Sequence, residues 1–158
     1  ARIAAAEEAA RIAAAEEAAY ISFKNLVNTE NATLTAEMID NYIAAGVDFY
    51  SGEIAINNQE GHSTDFLKFT PFTYAAHKGK TGIVEGIIAN QSGIVDEPDA
   101  SGFTGLMRAA KNEDLTTVES LIEEGSDVTK IHNNSDVQWA GGKTDYGLAS
   151  DAGVRDAL

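Results

Sequence analysis

Two stretches of this chain are near copies of each other, set 34 residues apart. Thr70 to Ile88 reads TPFTYAAHKGKTGIVEGII, and Thr104 to Ile122 reads TGLMRAAKNEDLTTVESLI. The register places Ala75 over Ala109, Ala76 over Ala110, Val84 over Val118 and Ile88 over Ile122. A third copy, TDYGLASDAG, begins at Thr144, 40 residues after Thr104, so the connection before it carries about six extra residues. A fixed period of this length marks an array of helical units. Each unit is too small to bury its own apolar face and does so only against its neighbours.

The residues inside each copy dictate a helical hairpin. Threonine is a good N-cap, and Pro71 at the first helical position gives up a backbone N–H that would be unpaired there anyway. The paired alanines let an antiparallel helix come close. Ile83, Val84, Ile87 and Ile88 give the second helix an apolar stripe, as do Val118, Leu121 and Ile122 one unit later. Upstream, Tyr20, Phe23, Leu26 and Val27 share one helical face, and Asn28 to Asn31 ends that helix. Thr35 is placed to cap a second helix with Met38, Ile39, Tyr42 and Ile43 on its apolar side, stopped by Gly46. Tyr50 to Lys68 is a long polar loop between these units.

The first nineteen residues are of another kind. ARIAAAEEA runs from Ala1 to Ala9 and is repeated letter for letter from Ala10 to Ala18. Alanine, glutamate and arginine favour helix, and Glu7 and Arg11 stand four apart in the favourable order. With Ile3 and Ile12 as its only large apolar residues, this segment has little to bury. It reads as a capping or solvent-facing helix or an appendage; a helix that packs on a second copy is the alternative.

The repeat resembles that of the ankyrin family, whose pattern is roughly G-x-T-P-L-H-x-A-A-x-x-G with a second helix ending in G-A-D-V. Thr70-Pro71-Phe72-Thr73 is similar to T-P-L-H. Gly102-Phe103-Thr104 and Gly142-Lys143-Thr144 match G-x-T. Gly46-Val47-Asp48-Phe49 and Gly125-Ser126-Asp127-Val128 match G-A-D-V. The resemblance spans about Tyr20 to Leu158. No copy keeps the histidine of T-P-L-H, Glu113 stands where a loop glycine is expected, and Leu158 falls one turn into the last second helix. The implied architecture is all-α: an ankyrin-like solenoid of about three to four helix-turn-helix repeats with an N-terminal Ala-rich helix. The Ala-rich segment is residues 1–19 and the repeat domain is residues 20–158, with repeats at about 20–49, 66–97, 100–131 and 140–158.

Composition narrows the partners. Formal net charge is −14 and the sequence pI is about 4.4, which argues against nucleic acid and against an anionic membrane surface. No apolar run approaches the roughly 18 residues that span a bilayer. The chain has no cysteine, so disulfides, thiolate metal sites and cysteine nucleophiles are excluded, while bacterial cytoplasm and periplasm are both compatible. His62, His77 and His132 are scattered, and no paired-histidine, phosphate-loop or nucleophile-elbow motif is present. The reading is a non-enzyme with no cofactor and no metal.

What the resemblance implies is a module that binds a partner protein through its concave face and β-turn fingers. It would act by occupancy, as an inhibitor, immunity or protective protein for a partner enzyme. Six basic residues (Lys68, Lys78, Lys80, Arg108, Lys111 and Lys143) fall on or beside the regions that form that surface, while Glu85, Asp96, Glu97, Glu119, Glu123 and Glu124 lie on second helices and the turns after them. The expected partner-binding residues are Phe66, Phe69, His77, Lys78, Phe103, Arg108, Lys111, Asn112, Trp139 and Lys143. Phe69 and Phe103 are expected to be exposed at finger tips. Trp139 either contacts the partner or covers the end of the stack. The alternative function is structural: a homodimer formed through the N-terminal helix or the end repeat.

Overall fold

Three threonines start helices here, each through its hydroxyl. Thr35 accepts from the Met38 N–H at 3.3 Å, Thr70 from Thr73 at 3.2 Å and Thr104 from Met107 at 3.2 Å. The structure, a computed structural model, describes residues 1–54, 56, 68–130 and 152–158. Among the described residues there are seven helices: α1 (Arg2–Val27), α2 (Ala36–Ala44), α3 (Pro71–His77), α4 (Thr81–Asn90), α5 (Gly105–Lys111), α6 (Leu115–Glu123) and α7 (Ala152–Ala157).

The helices α3–α4 and α5–α6 form paired hairpins, while α1 meets α2 through the Phe23 and Tyr42 rings. First helices then stack on first helices (α1 on α3, α3 on α5) and second helices on second (α2 on α4, α4 on α6, α6 on α7). The all-α solenoid expected from the repeat is the architecture observed. Ala75, Ala76, Ala109 and Ala110 are sealed from solvent, as are Ile83, Val84, Ile87, Val118 and Leu121. The missing T-P-L-H histidine has a local replacement in one repeat. Thr73 takes its place and closes a reciprocal capping box, with its hydroxyl accepting from the Thr70 N–H at 3.0 Å.

Helix ends repeat one device. At Gly46 (φ 97°) the glycine N–H bonds back to the Ile43 carbonyl and the Val47 N–H to that of Tyr42, which satisfies the last carbonyls of α2. Gly79 (φ 64°) ends α3 in the same way, and a β-carbon there would lie 1.8 Å from Asp114 Oδ2. One repeat later Glu113 adopts the same left-handed turn at φ 60°. The backbone requirement is therefore kept although the glycine is not.

Two sequence expectations are corrected, the partner of Arg11 and the side of α2 that Ile43 takes. The compositional change at residue 19 falls inside α1, which runs unbroken for 26 residues. Residues 1–18 are all exposed, and burial in α1 begins with Ala19, Phe23 and Val27. Phe23 supplies the anchor, meeting Tyr42 and Phe49 edge-on, each at 5.5 Å between ring centroids. In the Ala-rich segment Arg11 pairs with Glu8 at 3.2 Å and not with Glu7. Ile43 is turned outward and 42% exposed, because the core side of α2 is taken by Ile39. Residues 144–151 of the third copy lie outside the described residues, and α7, which begins at the end of that copy, carries a fully buried Val154.

Candidate protein-interaction surface

The face built by the first helices is where the sequence places its binding residues. On α3 it carries Tyr74, His77 and the flanking Lys78; on α5 it carries Arg108, Lys111 and the flanking Asn112. The 34-residue period aligns Tyr74 with Arg108. Both turn inward. The Tyr74 hydroxyl meets Asn28 at the end of α1 at 3.1 Å, while Arg108 is enclosed between repeats.

Arg108 is the largest correction. Its guanidinium lies 4.1 Å from the ring centroids of both Phe69 and Phe103, sandwiched between them. Its Nε donates to Asp99 Oδ2 at 2.8 Å. The other carboxylate oxygen of Asp99 accepts the Ser101 and Phe103 N–H groups, each at 3.0 Å, which fixes the turn of the finger. Phe69 and Phe103 are both fully buried. They are not exposed finger tips, because their rings form the walls of this cationic slot. Stacking a desolvated guanidinium on an aromatic face stabilises by about 2 kcal/mol, so the arrangement locks two repeats together.

Around this slot the surface opens. His77 packs on Phe69 with ring centroids 4.6 Å apart. It is half-buried. Burial holds its imidazole down at about 4, helped by the charges of Arg108, Lys78 and Lys111. Lys111 is half-buried, and burial followed by the Arg108 charge lowers its ammonium pKa. Lys78 is exposed, with its ammonium 5.7 Å from the Tyr74 ring centroid. Asn112 is exposed at the end of α5 and donates to the His77 carbonyl. Of the ten expected residues, Phe69, His77, Arg108, Phe103 and Lys111 thus converge on one cluster, with Lys78 and Asn112 at its rim. Phe66, Trp139 and Lys143 lie outside the described residues.

Sequence reasoning missed Asp99. Its signal was present, since Asp99-x-x-Gly102-x-Thr104 is the spacing that lets one carboxylate tie a turn to the following helix start. It also missed the base of the long loop, where the Ile54 N–H donates to the Phe69 carbonyl at 2.8 Å and closes the segment between them. Beside that base, α1 and the finger flank a groove of about 580 Å³. It is lined by Ala13, Glu16, Glu17, Tyr20, Ile21 and Lys24, with Asn25, Glu53 and Ile54 completing it. Among the described residues no group of three or more histidine or carboxylate side chains is placed to hold a metal ion. No described helix is long and apolar enough to cross a membrane.

Stacked helical hairpins with tied fingers define a helical-repeat protein of the kind used to bind other proteins. The family model for ankyrin repeats (3 copies) matches residues 43–132, more than half of the chain. The chain belongs to the ankyrin-repeat family, whose members are protein–protein interaction modules and generally not catalysts. No curated protein matches it significantly.

Proposed function

We propose that the protein is a non-catalytic binding module that engages one partner protein through the first-helix face and fingers and acts by occupying it, as an inhibitor or protective protein does. The observation that carries this reading is the rim of the Arg108 cluster. Lys78 and Asn112 stand exposed beside half-buried His77 and Lys111, on a scaffold made rigid by the slot beneath them. Glu85, Glu119, Glu123 and Glu124 are exposed on or just after the second helices. These four carboxylates thus lie on the second-helix side, while Glu113 and Asp114 stand next to the rim. Phe66, Trp139 and Lys143 belong to the same reading through the resemblance alone.

The test is capture of the partner from the native source with wild-type bait and with Lys78→Glu/Lys111→Glu bait. Loss of the captured protein, with unchanged helicity, supports the reading; equal capture by both baits sinks it. Truncating Phe103 is unsuitable for this purpose, because a buried wall of the slot would be removed and the repeats would loosen.

A second reading is self-association through α1. It is favoured by Ile3 and Ile12, which are 77% and 59% exposed on a helical arm that none of the described core covers.

A further inference from the structure

The groove between α1 and the base of the long loop is acidic and apolar at once. Ala13, Glu16, Glu17, Tyr20, Ile21 and Lys24 form one stripe along α1, and Glu53 and Ile54 form the opposite wall. Ile21 is 52% exposed and offers apolar surface within the groove, while Ile54 is buried. The floor is held in place. The Tyr20 hydroxyl accepts the Asp48 N–H at 2.8 Å, fixing α1 to the turn after α2. At about 580 Å³ the groove has the size of a site that takes a few side chains.

We propose that this groove docks a cationic, amphipathic segment of the partner protein: basic side chains directed at Glu17 and Glu53, with an apolar side chain between them on Ile21 and Tyr20. Charge complementarity selects this occupant. Three carboxylates face one ammonium in the groove, and the whole chain, at −14, draws cations in and turns anions away. Ala13 and Tyr20 are seven positions apart along α1, two turns on one side of the helix, so the stripe suits a linear segment lying along it. The proposal rests on the reading of the protein as a binding module and names the chemistry of what it binds.

The experiment measures fluorescence anisotropy of a labelled peptide, Arg-Ala-Leu-Arg-Ala-Leu-Arg, with the full chain. Three variants join the wild type: Glu17→Lys/Glu53→Lys, Ile21→Ser, and Glu119→Lys/Glu123→Lys on α6. All five positions are exposed, and the two double variants change net charge equally. Circular dichroism verifies that each is folded. The expected result is a loss of about tenfold or more in affinity for the Glu17/Glu53 double, a smaller loss for Ile21→Ser, and little change for the α6 double. Absent binding by the wild type, or equal losses in the two doubles, overturns the proposal. A partner captured by wild-type bait, lost with Lys78/Lys111 reversal but retained with Glu17/Glu53 reversal, overturns the groove and leaves the module reading standing.

Discussion

Arg108 and Asp99 form a sealed ion pair, with Nη2 2.6 Å from Oδ2 and the two side chains 2% and 0% exposed. Burial works against both charges: it lowers the Arg108 pKa and raises that of Asp99. The pair persists because each partner is satisfied from several directions, Asp99 by the finger's own N–H groups and Arg108 by two aromatic faces. It joins the turn of one repeat to the aromatic residue that opens the repeat before it.

Removing one half of such a pair leaves a buried charge with no counterpart. Asp99→Ala is therefore expected to cost about 3–5 kcal/mol in urea denaturation. Asp99→Asn keeps the shape and part of the hydrogen bonding and should cost less. Combining Asp99→Ala with Arg108→Met should cost less than the sum of the singles, since the apolar pair leaves no orphaned charge. Additive losses in that cycle would mean that the two groups are not coupled.

The left-handed turn at Glu113 gives a second prediction. A non-glycine residue at φ 60° carries a steric cost of about 1 kcal/mol. Glu113→Gly should raise stability by up to about 1 kcal/mol, less what glycine adds to the freedom of the unfolded chain. The matching change in the preceding repeat should do the opposite. Gly79→Ala meets both the positive φ and Asp114 Oδ2, and Asp114 is the N-cap of α6. A loss of about 2 kcal/mol is expected in thermal or urea unfolding.

His77 makes stability depend on pH. Its pKa is about 4 in the folded chain, against about 6.5 when unfolded. Between those values the unfolded chain holds the extra proton, so stability is full above about pH 6.5 and is lost as pH falls toward 4. Arg108, Lys78 and Lys111 face the imidazole and enlarge the effect; Phe69 covers it. Allowing for its partial exposure, the loss is about 2 kcal/mol. Urea midpoints at pH 7 and pH 4.5 should differ more for wild type than for His77→Gln.

The stack itself was legible in the sequence because its causes are local: a threonine cap, paired alanines and apolar stripes act within one hairpin. The turn after α2 was legible too, since Gly46 announces a left-handed residue. What could not be read is which finger residues face in. Phe69 and Phe103 hold the same chemistry whether they point at a partner or at Arg108. The choice depends on Asp99, which neutralises the guanidinium and so lets it leave water. That is a relation among four residues from two repeats, and no single copy of the repeat contains it.

The arm that precedes Ala19 supports a last prediction. Its residues 1–18 are exposed, so deleting residues 1–15 removes no core contact and keeps Glu16, which lies over Gly46. Unfolding free energy should change by less than about 1 kcal/mol, while the far-ultraviolet helical signal falls by the share of those residues. Mass in solution separates the two functional readings. A binding module keeps the same mass, scaled for the deletion, at every concentration. A protein that self-associates through α1 shows a concentration-dependent mass that the deletion abolishes. Arg11 and Glu8 do not decide the matter, because an exposed pair three residues apart on one helix adds at most about 0.5 kcal/mol to the arm.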